Sequence, residues 1–177
     1  RAMDDVIIAA ATGTASTGET GSGSESAQTA IAASVGSTTG LNIPKLAKAK
    51  ETFDLASVDP SIPRHIIVSP EQINNLLNVT EVTSSDFNTV KALVQGEIDT
   101  FLGFKFTVSN RLAKSGNDRT CIAFAQDGIT LAIGKDVNAR IDERADKSYA
   151  TQVYYCMSIG ATRMEQAKVL GITCTEA

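Results

Sequence analysis

Near residue 104 the hydrophobic period of this chain changes. Upstream, apolar residues recur at helical spacing: Met3, Val6, Ile7, Ala10 and Ala11, then Leu46, Ala49, Phe53 and Ala56, then Phe87, Val90 and Val94. Downstream they alternate, as Phe104, Phe106 and Val108 interleave with Lys105, Thr107 and Ser109, and Val153, Tyr155, Met157 and Ile159 with Tyr154, Cys156 and Ser158. Helices come first and strands later, with no βαβ repetition and no internal repeat, so the expected class is α+β with antiparallel sheets. A chain of 177 residues, 42% hydrophobic, is expected to form one domain with an ordinary core, without disulfide or metal staples.

Local signals place the elements. Pro44 fits the first turn of a helix capped by Asn42 or Ile43, with Lys45, Lys48 and Glu51 in water, and Pro60 and Pro63 are expected to end it. Arg64 to Val68 reads as a short buried strand. Ser69-Pro70-Glu71-Gln72 is a capping-box pattern opening a helix with Ile73, Leu76 and Leu77. Ser84 or Ser85 is expected to cap the Phe87 helix, with Gly96 just past its end. Cys121 to Gln126 and Ile129 to Gly134 flank Asp127-Gly128, a strong hairpin signal, and Val169 to Cys174 is the last strand. The first helix has no N-cap and is followed by Gly13, so it is expected to begin upstream of Arg1, and the chain reads as a fragment. Thr12 to Gly40 holds 6 Gly and 13 Ser or Thr in 29 residues. Composition makes it a linker, whereas Ala30, Ile31, Ala32, Ala33 and Val35 suit an extended arm pinned by neighbours.

Chemistry is sparse. The formal charge of −4 argues against free nucleic acid as the main partner, and no apolar stretch is long enough for a transmembrane helix. Cys121, Cys156 and Cys174 match neither a CxxC site nor a disulfide framework, and buried reduced thiols are expected. His65 is the single histidine, which excludes a two-histidine metal site; Ser69, on the same side of a strand, lies about 13 Å away at ~3.3 Å per residue. Gly21-Ser22-Gly23 and Gly134-Lys135 fail the dinucleotide and P-loop patterns. Asn78-Val79-Thr80 has a glycosylation pattern without any sign of secretion. The pairs Glu97/Asp99 and Asp142/Glu143 come with no histidine or metal cluster. No catalytic residue, cofactor or metal site is therefore expected. One segment, Arg140-Ile141-Asp142-Glu143-Arg144-Ala145-Asp146-Lys147, mixes both signs densely between two strands. It is either a solvated loop with weak ion pairs or, in a repeating assembly, a patch that sets register through Arg140, Asp142, Glu143, Arg144, Asp146 and Lys147.

Four segments in order, RAMDDVIIAAATGTA, IPRHIIVSPEQINNLL, SSDFNTVKALVQGEIDTFLGFKF and KDVNARIDERADKSYATQVYYCMSIGATRMEQAKVLGI, span nearly the whole chain. Together they resemble the major capsid proteins of tailed bacteriophages and prophages, with the Hong Kong ninety-seven type shell fold. The resemblance implies an axial and a peripheral domain. Residues 1–60 would hold the end of a spine helix, the Gly/Ser/Thr-rich arm and a peripheral helix; residues 61–139 the axial domain; and residues 140–177 the return strands of the peripheral domain. It also implies an N-terminal arm and an extended loop ahead of the spine, both expected to lie outside the residues of this chain, so no crosslinking residue is carried over. The function implied is structural and not enzymatic: self-assembly of pentamers and hexamers into an icosahedral shell that encloses phage DNA without sequence-specific binding. Scaffolding, portal or decoration proteins are possible further partners, no membrane is involved, and the place is the virion capsid, assembled in the bacterial host cytoplasm. The alternatives are the shell of a cellular cargo-enclosing nanocompartment and a small hydrolase using His65 or a carboxylate pair.

Overall fold

The computed structural model describes residues 2–16, 25–26, 28–36, 39–78 and 100–176. The expected Phe87 helix with its Ser84 or Ser85 cap, Gly21-Ser22-Gly23 and the Glu97/Asp99 pair lie outside these residues. Helix α1 (Ala2–Thr12) buries Ile8 and Ala11. It ends where Gly13 N–H donates to Ala9 O at 2.9 Å, and a Cβ on Gly13 would sit 2.9 Å from that same oxygen. Strands β1 (Ala15–Ser16) and β2 (Glu25–Ser26) pair antiparallel. Strand β3 (Thr29–Ile31) then lies parallel to a later strand and buries Ile31, so residues 28–36 follow the pinned-arm reading.

Helix α2 (Ile43–Leu55) starts as expected, with Asn42 Oδ1 accepting from Lys45 N at 2.9 Å and Pro44 in the first turn. Leu46, Ala49 and Phe53 are buried, but Ala56 is exposed: the helix stops at Leu55, and Ser57, at φ +56°, turns the chain before either proline. Lys45 corrects the expectation of a wet side chain. It is fully buried and its ammonium donates to Thr39 O (2.6 Å), Gly40 O (2.7 Å) and Thr173 O (3.3 Å). Those bonds supply the acceptors that a buried ammonium requires, while burial pushes its pKa down. Strand β4 (Arg64–Val68) leads into α3 (Pro70–Asn78). Only half of the capping box forms. Ser69 Oγ accepts from Gln72 N at 3.4 Å, whereas the Gln72 amide accepts from Leu41 N at 2.9 Å and donates to Glu176 Oε1 at 3.3 Å.

Strands β5 (Thr100–Phe101), β6 (Phe104–Val108), β7 (Lys114–Ser115), β8 (Asp118–Ala125) and β11 (Val169–Thr175) complete a seven-stranded sheet of order β3-β11-β8-β4-β6-β5, with β7 on β8. The α+β class stands, but the sheet is mixed: β3 is parallel to β11 and β4 to β6. The connection through α3 is long enough to return the chain to the same end, which two-residue hairpins cannot do. One face packs on α2, where Phe53 meets Phe104 at 6.0 Å between ring centroids and Arg64 covers Phe53 at 5.4 Å. On the other face α1 lies over a cleft lined by Ile7, Ile8, Ile67, Thr107 and Phe124. Cover on both faces is why Cys121 to Ala125 of β8 form an unbroken apolar run.

The largest correction falls at Asp127-Gly128. A turn forms there, with Gly128 N donating to Ala125 O at 2.8 Å, but the strands it joins do not pair. β8 pairs with β4, β7 and β11, while β9 (Ile129–Arg144) pairs with β10 (Ala150–Arg163) in a separate two-stranded ribbon. A two-residue hairpin forms instead at Leu102-Gly103, both at positive φ (+52° and +84°), between β5 and β6. The sheet draws β3 from residues 1–60, β4 to β8 from 61–139 and β11 from 140–177, and the ribbon straddles residue 139.

Candidate functional site

Among the described residues, the ribbon and its tip carry the exposed large apolar side chains Ile133, Val137, Ile141, Tyr149, Val153, Tyr154 and Tyr155. β9 has 16 residues and β10 has 14. The difference is two extra residues on β9, one between Ile133 and Lys135 and one between Lys135 and Asn138, where the register shifts. At the tip a short helical turn, Ala145–Lys147, is followed by Ser148 and Tyr149, both at positive φ (+51° and +58°).

Because opposed residues in an antiparallel pair point to the same side, the register sorts the distal ribbon into two faces. One face carries Ala139, Ile141 and Glu143 from β9 with Tyr155, Val153 and Thr151 from β10. The other carries Asn138, Arg140, Asp142 and Arg144 with Cys156, Tyr154, Gln152 and Ala150. Ile141 is 71%, Val153 69% and Tyr155 60% exposed. Continuing down β10, the same parity reaches Arg163, buried, whose guanidinium donates to Gly13 O at the end of α1 at 2.7 Å. So α1 covers the base of the apolar face and leaves the distal part bare. Covering a Val, Ile or Tyr of this kind is worth about 1 to 2 kcal/mol each, and a lone two-stranded ribbon is marginal in water.

The six charged residues singled out from sequence all lie on this distal ribbon, four on β9 and two in the turn at its tip. Arg140, Asp142 and Arg144 share the polar face, Glu143 sits on the apolar face, and Asp146 and Lys147 are in the tip turn. Arg144 is engaged within the tip: its Nε donates to Asp146 Oδ1 at 2.9 Å, and its second contact goes to Asp146 Oδ2. That hydrogen bond raises the Arg144 pKa and lowers that of Asp146. No ion pair of Arg140, Asp142, Glu143 or Lys147 forms among the described residues. Asp142 and Glu143 point to opposite faces, so they do not converge as an acid-base pair.

His65 stacks on Phe124 at 5.5 Å between ring centroids, and burial, with Lys105 nearby, lowers its pKa. Ser69 instead donates to Glu176 Oε1 at 2.8 Å. No group of three or more His, Cys, Asp or Glu able to hold a metal occurs among the described residues. Cys121, Cys156 and Cys174 are free thiols; the first and last are buried and Cys156 is half-buried.

Sequence reasoning missed two things. One was the bare apolar face, legible in hindsight from Ile141 set between Arg140 and Asp142. The other is the buried cluster around Glu176, whose carboxylate has Arg119 Nε at 2.7 Å and Lys114 Nζ at 3.2 Å. Residues that distant in sequence carry no local signal of their meeting.

A family model described as phage capsid protein matches residues 1–176. No curated protein matches the chain. Among solved structures, a chain of Mycobacterium phage Che8 is 18% identical, with a TM-score of 0.68 over 97% of this chain and 58% of that one. A chain of the capsid of Ralstonia phage GP4 is 9% identical, with a TM-score of 0.67 over 99% of this chain and 64% of that one. The holo-SrpI encapsulin complex from Synechococcus elongatus PCC 7942 is more distant, at 8% identity and a TM-score of 0.51 over 77% of this chain and 50% of that one. The chain thus spans less than two thirds of the length of each of these relatives. The shared fold is the Hong Kong ninety-seven type.

Proposed function

The chain belongs to the phage capsid protein family, and from that premise we propose that it is a self-assembling subunit of the icosahedral shell that encloses phage DNA. The observation that carries this reading is the projecting ribbon with its uncovered apolar face. A monomer gains nothing by holding Ile141, Val153 and Tyr155 in water on a marginal two-stranded element, whereas a lattice neighbour buries them. The mixed charges of Arg140, Asp142, Glu143, Arg144, Asp146 and Lys147 border that face. They set register between subunits, because wrong alignments bring like charges together.

In this reading the seven-stranded sheet with α2 and α3 is the axial domain, and α1, as the end of the spine helix, forms the peripheral domain with the ribbon. Support for that division comes from hydrogen bonding: β11 is laddered to β8 and α2 is tied to β11 through Lys45, so both go with the sheet. The mechanism is association, not turnover. DNA is confined by the wall and not read, assembly takes place in the bacterial host cytoplasm, and scaffolding, portal or decoration proteins are further partners. A cargo-enclosing compartment has weaker support, since the encapsulin likeness covers less of the chain. The hydrolase alternative has no support among the described residues, where His65 stacks on Phe124 and Ser69 bonds to Glu176.

The test is electron microscopy of particles formed by the complete gene product, wild type against Val153→Asp. The reading expects closed shells that the substitution abolishes while circular dichroism stays unchanged. Particles of wild-type yield from the variant, or a wild type that never assembles, would sink it.

A further inference from the structure

The two long edges of the ribbon differ in kind. Among the described residues β9 pairs only with β10 and β10 only with β9, so both edges present unpaired N–H and C=O groups. Proteins guard such edges with charges, prolines, bulges or short strands, because an unguarded edge pairs with another chain. β9 is guarded: Lys135, Asp136, Arg140, Asp142, Glu143 and Arg144 lie along it, and both extra residues interrupt it. β10 is not. From Ala150 to Thr162 it has no charged residue and no proline, runs without an inserted residue, and is rich in strand formers such as Thr151, Val153, Tyr154, Tyr155 and Ile159. Its single charge, Arg163, is buried at the base against Gly13.

We propose that the open edge of β10 is a pairing edge that takes β10 of a second copy, antiparallel, about a two-fold axis normal to the ribbon. The inference rests on the self-assembly reading and names the strand that makes one of its contacts. An isologous contact requires a self-complementary patch, and an uncharged strand meets its own copy with no like-charge repulsion in any register. Opposed residues share a face, so Val153 and Tyr155 of both copies join into one apolar surface on a four-stranded sheet, and the polar faces join on the other side. The bulged and charged β9 edges are left outermost, where their guarding is needed.

A single-cysteine scan tests this. With Cys156 replaced by Ser, cysteines are placed one at a time at Thr151, Gln152, Val153, Tyr154, Tyr155, Met157 and Ser158, the native Cys156 supplies the remaining position, and mild oxidation is read on non-reducing gels. Cys121 and Cys174 are buried and stay silent. Opposed Cβ atoms lie roughly 5 Å apart and diagonal ones roughly 7 Å, so disulfide-linked dimers should peak at one position and fall away on both sides. A flat profile, or no dimer at any position, overturns the proposal. In parallel, Gln152→Lys should weaken self-association in sedimentation by at least about tenfold, while Thr130→Lys on β9 leaves it unchanged; equal effects of the two overturn it as well. Shells that form while the scan is flat refute this inference and leave the shell reading standing. A peaked scan without shells does the reverse.

Discussion

Glu176→Gln removes the charge from a carboxylate that, among the described residues, is buried between two cations and two neutral donors. The Glu176 side chain is buried, accepts hydrogen bonds from Ser69 Oγ and Gln72 Nε2, and faces Arg119 and Lys114. Burial alone would push its pKa up. The contacts from Ser69, Arg119, Lys114 and Gln72 outweigh burial and bring it from 4.5 down to about 2. A folded-state pKa below the unfolded one means that the carboxylate stabilises the fold fully above about pH 4.5, and that this contribution fades as pH falls toward about 2. The shift corresponds to about 3 kcal/mol, and losing one partner of a buried pair costs about as much. Urea unfolding of wild type and Glu176→Gln at neutral pH should therefore differ by about 3 kcal/mol, and the gap should shrink in acid. Other carboxylates titrate equally in both proteins and cancel in the difference. A gap below about 1 kcal/mol at neutral pH, or one that stays constant as the pH falls, would refute the reasoning.

Three other outcomes follow from the same contacts. Lys45→Ala strips the donor from Thr39 O, Gly40 O and Thr173 O in a buried site, and should cost about 3 kcal/mol in denaturant unfolding. Gly128→Ala places a Cβ 2.9 Å from Lys168 O and 3.1 Å from Ala125 O, backbone atoms that must shift, so its melting temperature should fall by an amount equivalent to about 1 to 3 kcal/mol. Arg144→Glu should leave unfolding within about 0.5 kcal/mol yet lower particle yield and change its salt dependence. If adding Asp146→Arg, which rebuilds the tip pair in reverse, restores particles fully, Arg144 acts inside its own subunit and not across the interface.

Local physics was legible without the fold. The span of β4, the Asn42 cap, Pro44 in the first turn of α2 and the alternation along β10 depend on neighbours within a few residues, where rotamers, caps and the period-two pleat act. Tertiary structure alone decided what lay between distant segments. Asp127-Gly128 is a good turn in any context, but whether its flanking strands pair depends on competition: β4 and β11 occupy both edges of β8, so β9 must find β10. Lys45 reads as solvated because helical period places it at the rim of the apolar stripe, yet the arm closes over it with the carbonyls of Thr39 and Gly40, and β11 supplies a third from Thr173. The charged tip reads as a loop because its charges suit water, while its alternation belongs to a strand whose apolar face needs another molecule. Sequence order specifies which residues alternate; only the sheet's hydrogen-bond partners determine which face that alternation leaves uncovered.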